Sequence, residues 1–364
     1  MGRNILLLEP FFSGSHRQWC EGFKKYSSHS VDILSLPGRH WKWRMHGGAV
    51  SLAEQFNQLE EMPDSIIASS MLDLTTFLAL TRKKSVGIPV SIYFHENQLT
   101  YPWSPQDRDV KNRRDNHYAF INYASAIAAD KIFFNSKYHK DSFLNALPAF
   151  LNQFPDKRDK NNIQHIEAKS EVLSLGLDLS RLDEYRVEAK NSVPVILWNH
   201  RWEYDKNPEE FFNGLLEIKE KGIAFKLAVL GEQNDVIPPI FNQAEEWFKE
   251  EILHWGFTKE SGEYASWLWR ADILPVTSIQ DFFGGSVVEA MYCNCIPLLP
   301  DRLAYPEHLS EDLKGTLLYE AGNFSSALEH MLINWDQLRS INTQELVQGY
   351  NWKTCIDVYD EKLS

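Results

Sequence analysis

Short apolar runs alternate along this chain with longer stretches of helical period. Asn4–Leu8, Val31–Leu36, Ser65–Ser69, Val90–Phe94, Lys131–Phe134 and Glu171–Ser174 each read as a buried strand. Between them, residues 17–26, Leu72–Lys83, Asn116–Ala129 and Tyr138–Leu147 repeat their apolar positions at helical spacing. A second series begins at Pro194–Trp198 and continues through Phe225–Leu230, Leu253–Phe257, Asp272–Val276, Ile296–Leu299 and Thr316–Tyr319. Its helices are expected at Pro208–Lys221, where Pro and Glu mark the start, and at Pro239–Glu250, Glu263–Arg270, Phe324–Asn334 and Gln344–Leu363. Pro155–Lys169 is polar and reads as a loop, and the polar stretch from Leu175 to Ser192 reads as a linker. Regular strand–helix alternation predicts an α/β protein with two parallel-sheet domains. The expected domains are residues 1–180 and 181–343, with a terminal helix over about 344–364 crossing back to the first.

Composition narrows the class. The chain has 364 residues and a formal net charge of −13. That balance argues against a protein that coats nucleic acid or anionic membrane without specificity, while permitting a local basic patch. No apolar run reaches the roughly eighteen residues of a membrane span. Cys20, Cys293, Cys295 and Cys355 form no CxxC and no paired framework. A reducing cytoplasm and no zinc site are expected. No feature of the pattern specifies an oligomeric state.

In parallel α/β sheets ligands sit beyond the carboxyl ends of strands, so residues there carry the chemical argument. The densest stretch is Asp281-Phe282-Phe283-Gly284-Gly285-Ser286-Val287-Val288-Glu289. It reads as a loop feeding a helix that starts near Gly284, with Val287, Ala290 and Met291 on one buried face. Free backbone N–H groups at that start would point at an anion, and the glycines let a ligand approach closely. Asp281 and Glu289 can then face one ligand bearing a phosphate and several hydroxyls, although two solvated acids beside a glycine-broken loop give the same letters. Arg201 and Lys206 follow another strand and suit a diphosphate, or surface salt bridges. Gly231, Trp255 and Gly256 mark further strand ends. Near the N-terminus, Gly14 lies between strand and helix, allowing phosphate or substrate approach or merely closing a turn. His95 stands where a strand ends. The segment Pro37–Gly48 holds Arg39, Lys42, Trp43 and Arg44 with no acid, in an otherwise acidic chain. It reads as a loop that contacts nucleic acid, or as a surface loop pinned by its Trp residues. The cations Arg108, Lys111, Arg113 and Arg114 are nearly cancelled by Asp107, Asp109 and Asp115 and read as a solvated face.

The combination of Arg201, Lys206, Trp255-Gly256 and Asp281-x7-Glu289 resembles the retaining GT-B glycosyltransferases of family 4, with Asp281 where that family carries a Glu. Longer words are similar to the tRNA-queuosine mannosyltransferase family. They are Phe94-His95-Glu96-Asn97-Gln98-Leu99 with Tyr101-Pro102, Phe134-Asn135-Ser136, His200-Arg201-Trp202-Glu203 with Asp205-Lys206, Tyr305-Pro306-Glu307, Gly14-Ser15-His16 and Trp41-Lys42-Trp43-Arg44. The resemblance implies a GT-B fold, two Rossmann-like parallel-sheet domains facing an interdomain cleft. It implies metal-independent transfer of mannose from GDP-mannose to the cyclopentene-diol of queuosine in tRNA for aspartate, with no cofactor beyond the donor substrate. It implies that Arg201 and Lys206 hold the donor diphosphate, with Gly14, Gly231, Trp255, Gly256 and Phe283–Ser286 lining the donor. Asp281 is then expected at the sugar hydroxyls and Glu289 at the ribose. His95 would orient sugar or acceptor, and the departing phosphate oxygen would take the acceptor's proton. His16, Arg39, Lys42, Trp43, Arg44, Glu96 and Asn97 are expected on the tRNA side. Alternatives are another nucleotide sugar, a lipid or polysaccharide acceptor, or a nucleotide-sugar binder without turnover. A hydride-transfer enzyme lacks its GxGxxG fingerprint here.

Overall fold

A computed structural model describes residues 2–103, 116–187, 191–233 and 237–363. The acidic–basic run from Asp107 to Asp115 lies outside the described residues. The chain divides into two compact units, Met1–Asp178 with Trp352–Ser364, and Leu179–Asn351.

The first unit is built on six parallel strands, β1 (Asn4–Phe12), β2 (Ser30–Pro37), β3 (Ser65–Ser69), β4 (Val90–Phe94), β5 (Lys131–Phe134) and β6 (Ser170–Val172), in the order β2-β1-β3-β4-β5-β6. Continuous apolar runs such as Ile66–Ala68 and Ile132–Phe134 are buried throughout, as a sheet covered on both faces requires. Leu6, Leu8, Ile66, Ala68, Ile92 and Phe94 meet the helices Trp41–Asn57, Leu74–Ser85 and Lys137–Leu151 in one core through Leu52, Phe56, Phe77 and Phe143. Asp73 caps the helix Leu74–Ser85, accepting from Thr76 N at 3.0 Å.

Two expected loops contain helices. Pro37–Gly48 turns into the helix Trp41–Asn57 directly after His40, which sits in the left-handed region at φ 53°. Gly47 and Gly48 suggested a loop, yet both are helical. A Cβ on Gly48 would stand 2.8 Å from Pro10 Cβ, and one on Gly47 would stand 2.6 Å from the Trp43 ring. Gly48 is where the helix packs against β1, which no local pattern reveals, and Gly47 lies under the indole of Trp43 one turn earlier on the same helix. Within Pro155–Lys169 lies the short helix Asn161–Ala168, which buries only Ile166 and so leaves little periodic signal.

The C-terminal stretch expected as one helix is broken. Helix Thr343–Val347 and a 3-10 turn belong to the second unit, and Trp352–Leu363 is a helix of the first. Trp352 is fully buried against Gly22 and Gly176, where any Cβ would meet its ring within 2.0–2.6 Å. Tyr359 donates to Ser174 O at 2.7 Å and accepts from Gly176 N at 3.1 Å, while Asp360 accepts from Ser28 N at 2.8 Å. Burying Trp352, Tyr359 and Leu363 is worth about 1.5–3 kcal/mol apiece.

The second unit repeats the design with β7 (Val195–Trp198), β8 (Lys226–Val229), β9 (Ile252–Trp255), β10 (Ile273–Pro275), β11 (Ile296–Pro300) and β12 (Leu318–Tyr319), ordered β12-β11-β10-β7-β8-β9. The last strand is shorter than Thr316–Tyr319, because helix Glu311–Leu317 runs up to it. The strand order reverses between β10 and β7, the place where an open parallel sheet leaves a crevice beyond its carboxyl ends.

Candidate functional site

At this reversal the carboxyl end of β7 delivers Asn199, His200 and Arg201, and the segment after β10 delivers Gln280 to Ser286. Asp281 organises the second segment. Its Oδ1 accepts from Gly284 N at 2.8 Å and Phe283 N at 3.3 Å, and its Oδ2 accepts from Lys206 Nζ at 3.2 Å and Tyr305 OH at 3.3 Å. This carboxylate therefore holds the turn that starts the helix Gly285–Tyr292. Gly284 takes φ 88°, and a Cβ there would press on the Tyr305 ring at 3.0 Å. The N–H groups of Gly285 and Ser286 have no protein acceptor among the described hydrogen bonds, as the first turn of a helix allows. Phe283 is buried, its ring edge-on to His308 and Tyr350, and its carbonyl accepts from His308 Nε2 at 2.6 Å.

Lys206 ends a 3-10 turn, Tyr204–Lys206, and is buried. Its ammonium donates to Gln280 O at 3.0 Å and to Asp281, with Asp205 Oδ2 at 3.4 Å. Burial works against its charge, but Asp281 and Asp205 outweigh that and raise its pKa above the ordinary lysine value. Asp281 responds in the opposite sense: burial disfavours its anion, while Lys206 and the backbone donors hold its pKa below the usual range. Two of the three ammonium hydrogens are used in these hydrogen bonds, and Asp205 stands beside the third at salt-bridge distance. Arg201, half exposed, pairs through both terminal nitrogens with Glu203 at 3.1 and 3.2 Å.

Glu289 lies on the helix Gly285–Tyr292, but it is already engaged. Arg181 pairs with its Oε1, and Tyr264 OH donates to its Oε2 at 2.9 Å. Neither partner was legible: Arg181 comes from the stretch read as a linker, which forms the 3-10 helix Leu179–Tyr185. Gly231 is required by its surroundings, since at φ 112° a Cβ would stand 1.9 Å from His200 O. Gly256 also takes positive φ, at 114°. Trp255, half-buried, sits in an aromatic cluster with Trp202 at 5.5 Å and Phe212 at 5.8 Å.

In the first unit, the residues expected on the acceptor side divide. His95, just after β4, is buried, with Nε2 lacking a protein partner among the described residues. Burial and the neighbouring His16 and His139 push its pKa well below the ordinary value. The His16 ring lies against it at 4.3 Å, tilted by 40°, from the first turn of the helix Gly14–Tyr26. Its Nδ1 meets the fully buried Glu9 at 2.9 Å, and despite burial Glu9 raises its pKa. Glu9 directly follows the expected strand Asn4–Leu8, a usable signal that was passed over, and lies within β1. Glu9, His16 and His95 offer metal-ligand atoms within 4.8 Å of one another, a grouping the spacing did not suggest. Gly14 takes φ 51°, with open space where a Cβ would stand. Asn97 folds its own loop, accepting from Leu99 N and Thr100 N at 3.0 Å, and Glu96 accepts from Gln98 Nε2 at 3.3 Å.

Lys42, Trp43 and Arg44 sit in the first turn of the helix Trp41–Asn57, while Arg39 lies in the short connection just before it. Trp43 is 64% exposed. The Lys42 ammonium lies over the Trp41 and Trp103 rings at 5.5 and 5.3 Å, and Arg44 Nε donates to Pro37 O at 3.1 Å. No helix of the described residues is long and apolar enough to cross a membrane. Cys20, Cys293 and Cys295 are buried thiols, as a packing role requires.

Two six-stranded parallel sheets with ligand-type residues at a strand reversal define a GT-B glycosyltransferase, and the group 1 glycosyl transferase family matches residues 183–344. Solved structures agree on the fold. The catalytic domain of starch synthase IV from Arabidopsis thaliana superposes with a TM-score of 0.73 at 12% identity, covering 99% of this chain and 98% of that one. Sucrose-phosphate synthase from Thermosynechococcus elongatus gives 0.71 at 14% identity, with the same coverage of 99% and 98%. The tRNA-queuosine alpha-mannosyltransferase N-terminal family matches residues 4–177. A Drosophila melanogaster protein named tRNA-queuosine alpha-mannosyltransferase is 33% identical over 342 residues, which are 91% of this chain and 86% of that protein. This chain belongs to the tRNA-queuosine alpha-mannosyltransferase family.

Proposed function

We propose that this glycosyltransferase moves mannose from GDP-mannose to the cyclopentene-diol of queuosine in tRNA for aspartate, with retention at the sugar and without a metal, in the cytoplasm. One observation carries the donor half: a buried ammonium, Lys206, held charged beside the free N–H groups that open the helix Gly285–Tyr292. Departure of the nucleoside diphosphate builds negative charge on its β-phosphate. Lys206, Arg201 and the helix start would meet that charge with groups already in place. These same groups do what a divalent metal would otherwise do for the leaving group. An oxocarbenium-like state at the sugar then needs no protein nucleophile. Asp281 holds the turn and Lys206, and it meets sugar hydroxyls by sharing oxygens that already accept from Gly284 N, Phe283 N, Lys206 and Tyr305. Glu289 accepts from ribose hydroxyls by sharing with Arg181 and Tyr264. The exposed Trp43 and the cations around it supply stacking and phosphate contact for RNA.

The test is Lys206→Ala with GDP-mannose and queuosine-containing tRNA, read by mass spectrometry of the tRNA nucleosides. Removing one such group costs about 10²–10³ in turnover. Near-normal turnover would refute the electrostatic role. Incubation with UDP- and ADP-sugars tests the donor, and a product from one of those alone would refute GDP-mannose.

A further inference from the structure

Just after β7 stands a buried histidine with one ring nitrogen that has no protein partner among the described residues. His200 is 3% exposed, and its Nε2 has no hydrogen-bond partner among the described residues. Everything else about the residue is fastened. Its carbonyl accepts from Trp198 Nε1 at 2.9 Å and lies where Gly231 has no side chain. Its Nδ1 meets Ser286 Oγ at 3.1 Å, in the first turn of the helix Gly285–Tyr292. The preceding Asn199 donates to Ser286 O at 2.7 Å. The two residues that follow β7 thus clamp the helix start, with His200 Nε2 left over. A buried donor left unpaired costs about 1–3 kcal/mol, so its persistence calls for an explanation.

We infer that His200 Nε2–H donates a hydrogen bond to the diphosphate of the nucleotide donor, making His200 a third donor-binding residue beside Arg201 and Lys206. This rests on the donor reading above. Burial and the adjacent Lys206 hold the ring neutral, with a pKa near 3. A neutral imidazole carries one N–H. The Ser286 hydroxyl can rotate to donate to Nδ1, which leaves the hydrogen on Nε2. A neutral donor suits this position: a second buried cation beside Lys206 would be repelled by it before ligand arrives. The small residues Gly285 and Ser286 beside it leave room for an anion over the same helix turn.

The experiment compares GDP and guanosine binding by calorimetry in wild type, His200→Gln and His200→Asn. The Gln amide nitrogen reaches the place of imidazole Nε2, and that of Asn reaches only the place of Nδ1. GDP affinity is expected to hold within a few-fold in His200→Gln and to fall on the order of 10- to 100-fold in His200→Asn, with guanosine unaffected in both. A merely structural role through Ser286 reverses that order, with Asn the better replacement, and overturns the inference. Equal affinities for GDP in all three also overturn it. Wild type binding none of GDP, UDP and ADP defeats the donor reading itself. Should either variant fail to fold, a crystal of wild type with GDP decides. Nε2 within hydrogen-bond distance of a phosphate oxygen supports the inference, and a separation beyond about 3.5 Å overturns it.

Discussion

Replacing Lys206 by Met keeps the stem of the side chain and removes its charge, so stability reports directly on the buried ion cluster. Asp281 would keep Gly284 N, Phe283 N and Tyr305 OH. Asp205 would keep nothing: it is 1% exposed and neither carboxylate oxygen has a hydrogen-bond partner among the described residues. Its one compensating neighbour there is the ammonium at 3.4 Å. At an effective dielectric of about 20, each of the two contacts with Lys206 is worth about 5 kcal/mol of attraction, before desolvation is subtracted. Removing one member of a buried cluster costs about 3–5 kcal/mol net. The assay is urea unfolding of the full chain at pH 7, with the wild-type slope as control. The pH dependence follows from Asp281. Its pKa is depressed in the folded state, so its contribution is complete above the unfolded value of about 3.9 and is lost as pH falls through the folded value. Without Lys206, burial raises that pKa, and protonation relieves the variant first. The gap between the two proteins is therefore expected to narrow from pH 7 towards pH 4. Lys206→Met within 1 kcal/mol of wild type at pH 7, or a gap independent of pH, would refute the cluster as described.

Glu9→Gln tests the other buried pair. The pKa of His16 is raised in the folded state, so its contribution is present below the unfolded value of about 6.5 and is lost as pH rises through the folded one. Wild type should therefore lose stability across that window and Glu9→Gln should not, as followed by melting temperature between pH 5.5 and 8. Arg39, Lys42 and Arg44 replaced together by Ala should weaken tRNA binding and lower its salt slope, measured by filter binding at several salt concentrations; an unchanged slope removes this helix start from the RNA surface. Gly231→Ala should give little folded protein, since its Cβ would overlap the His200 carbonyl; normal expression and melting temperature would contradict that contact. Incubation with EDTA should leave transfer unchanged, and loss restored by a divalent ion would instead place a metal at Glu9, His16 and His95.

Much of this protein was written locally. Buried parallel strands are continuous apolar runs, so β3, β4 and β5 were legible to the residue, and Pro208 announced its helix because a proline suits the first turn. The strand-end location of Arg201, Lys206, Asp281 and His95 followed from the same periodicity. What tertiary structure decided was partnership. Asp281 resembles a ligand-binding acid in one dimension, and in three it also ties Lys206 to the start of a helix. Glu289 meets Arg181 across more than a hundred residues of chain, and Glu9 meets His16 only because the turn after β1 brings the helix back over the strand. Gly48 and Gly22 look like loop residues or accidents until Pro10 and Trp352 arrive against them. Periodicity reports which face of an element is buried. Which atoms lie opposite that face depends on distant segments, and that information exists only once the chain has folded.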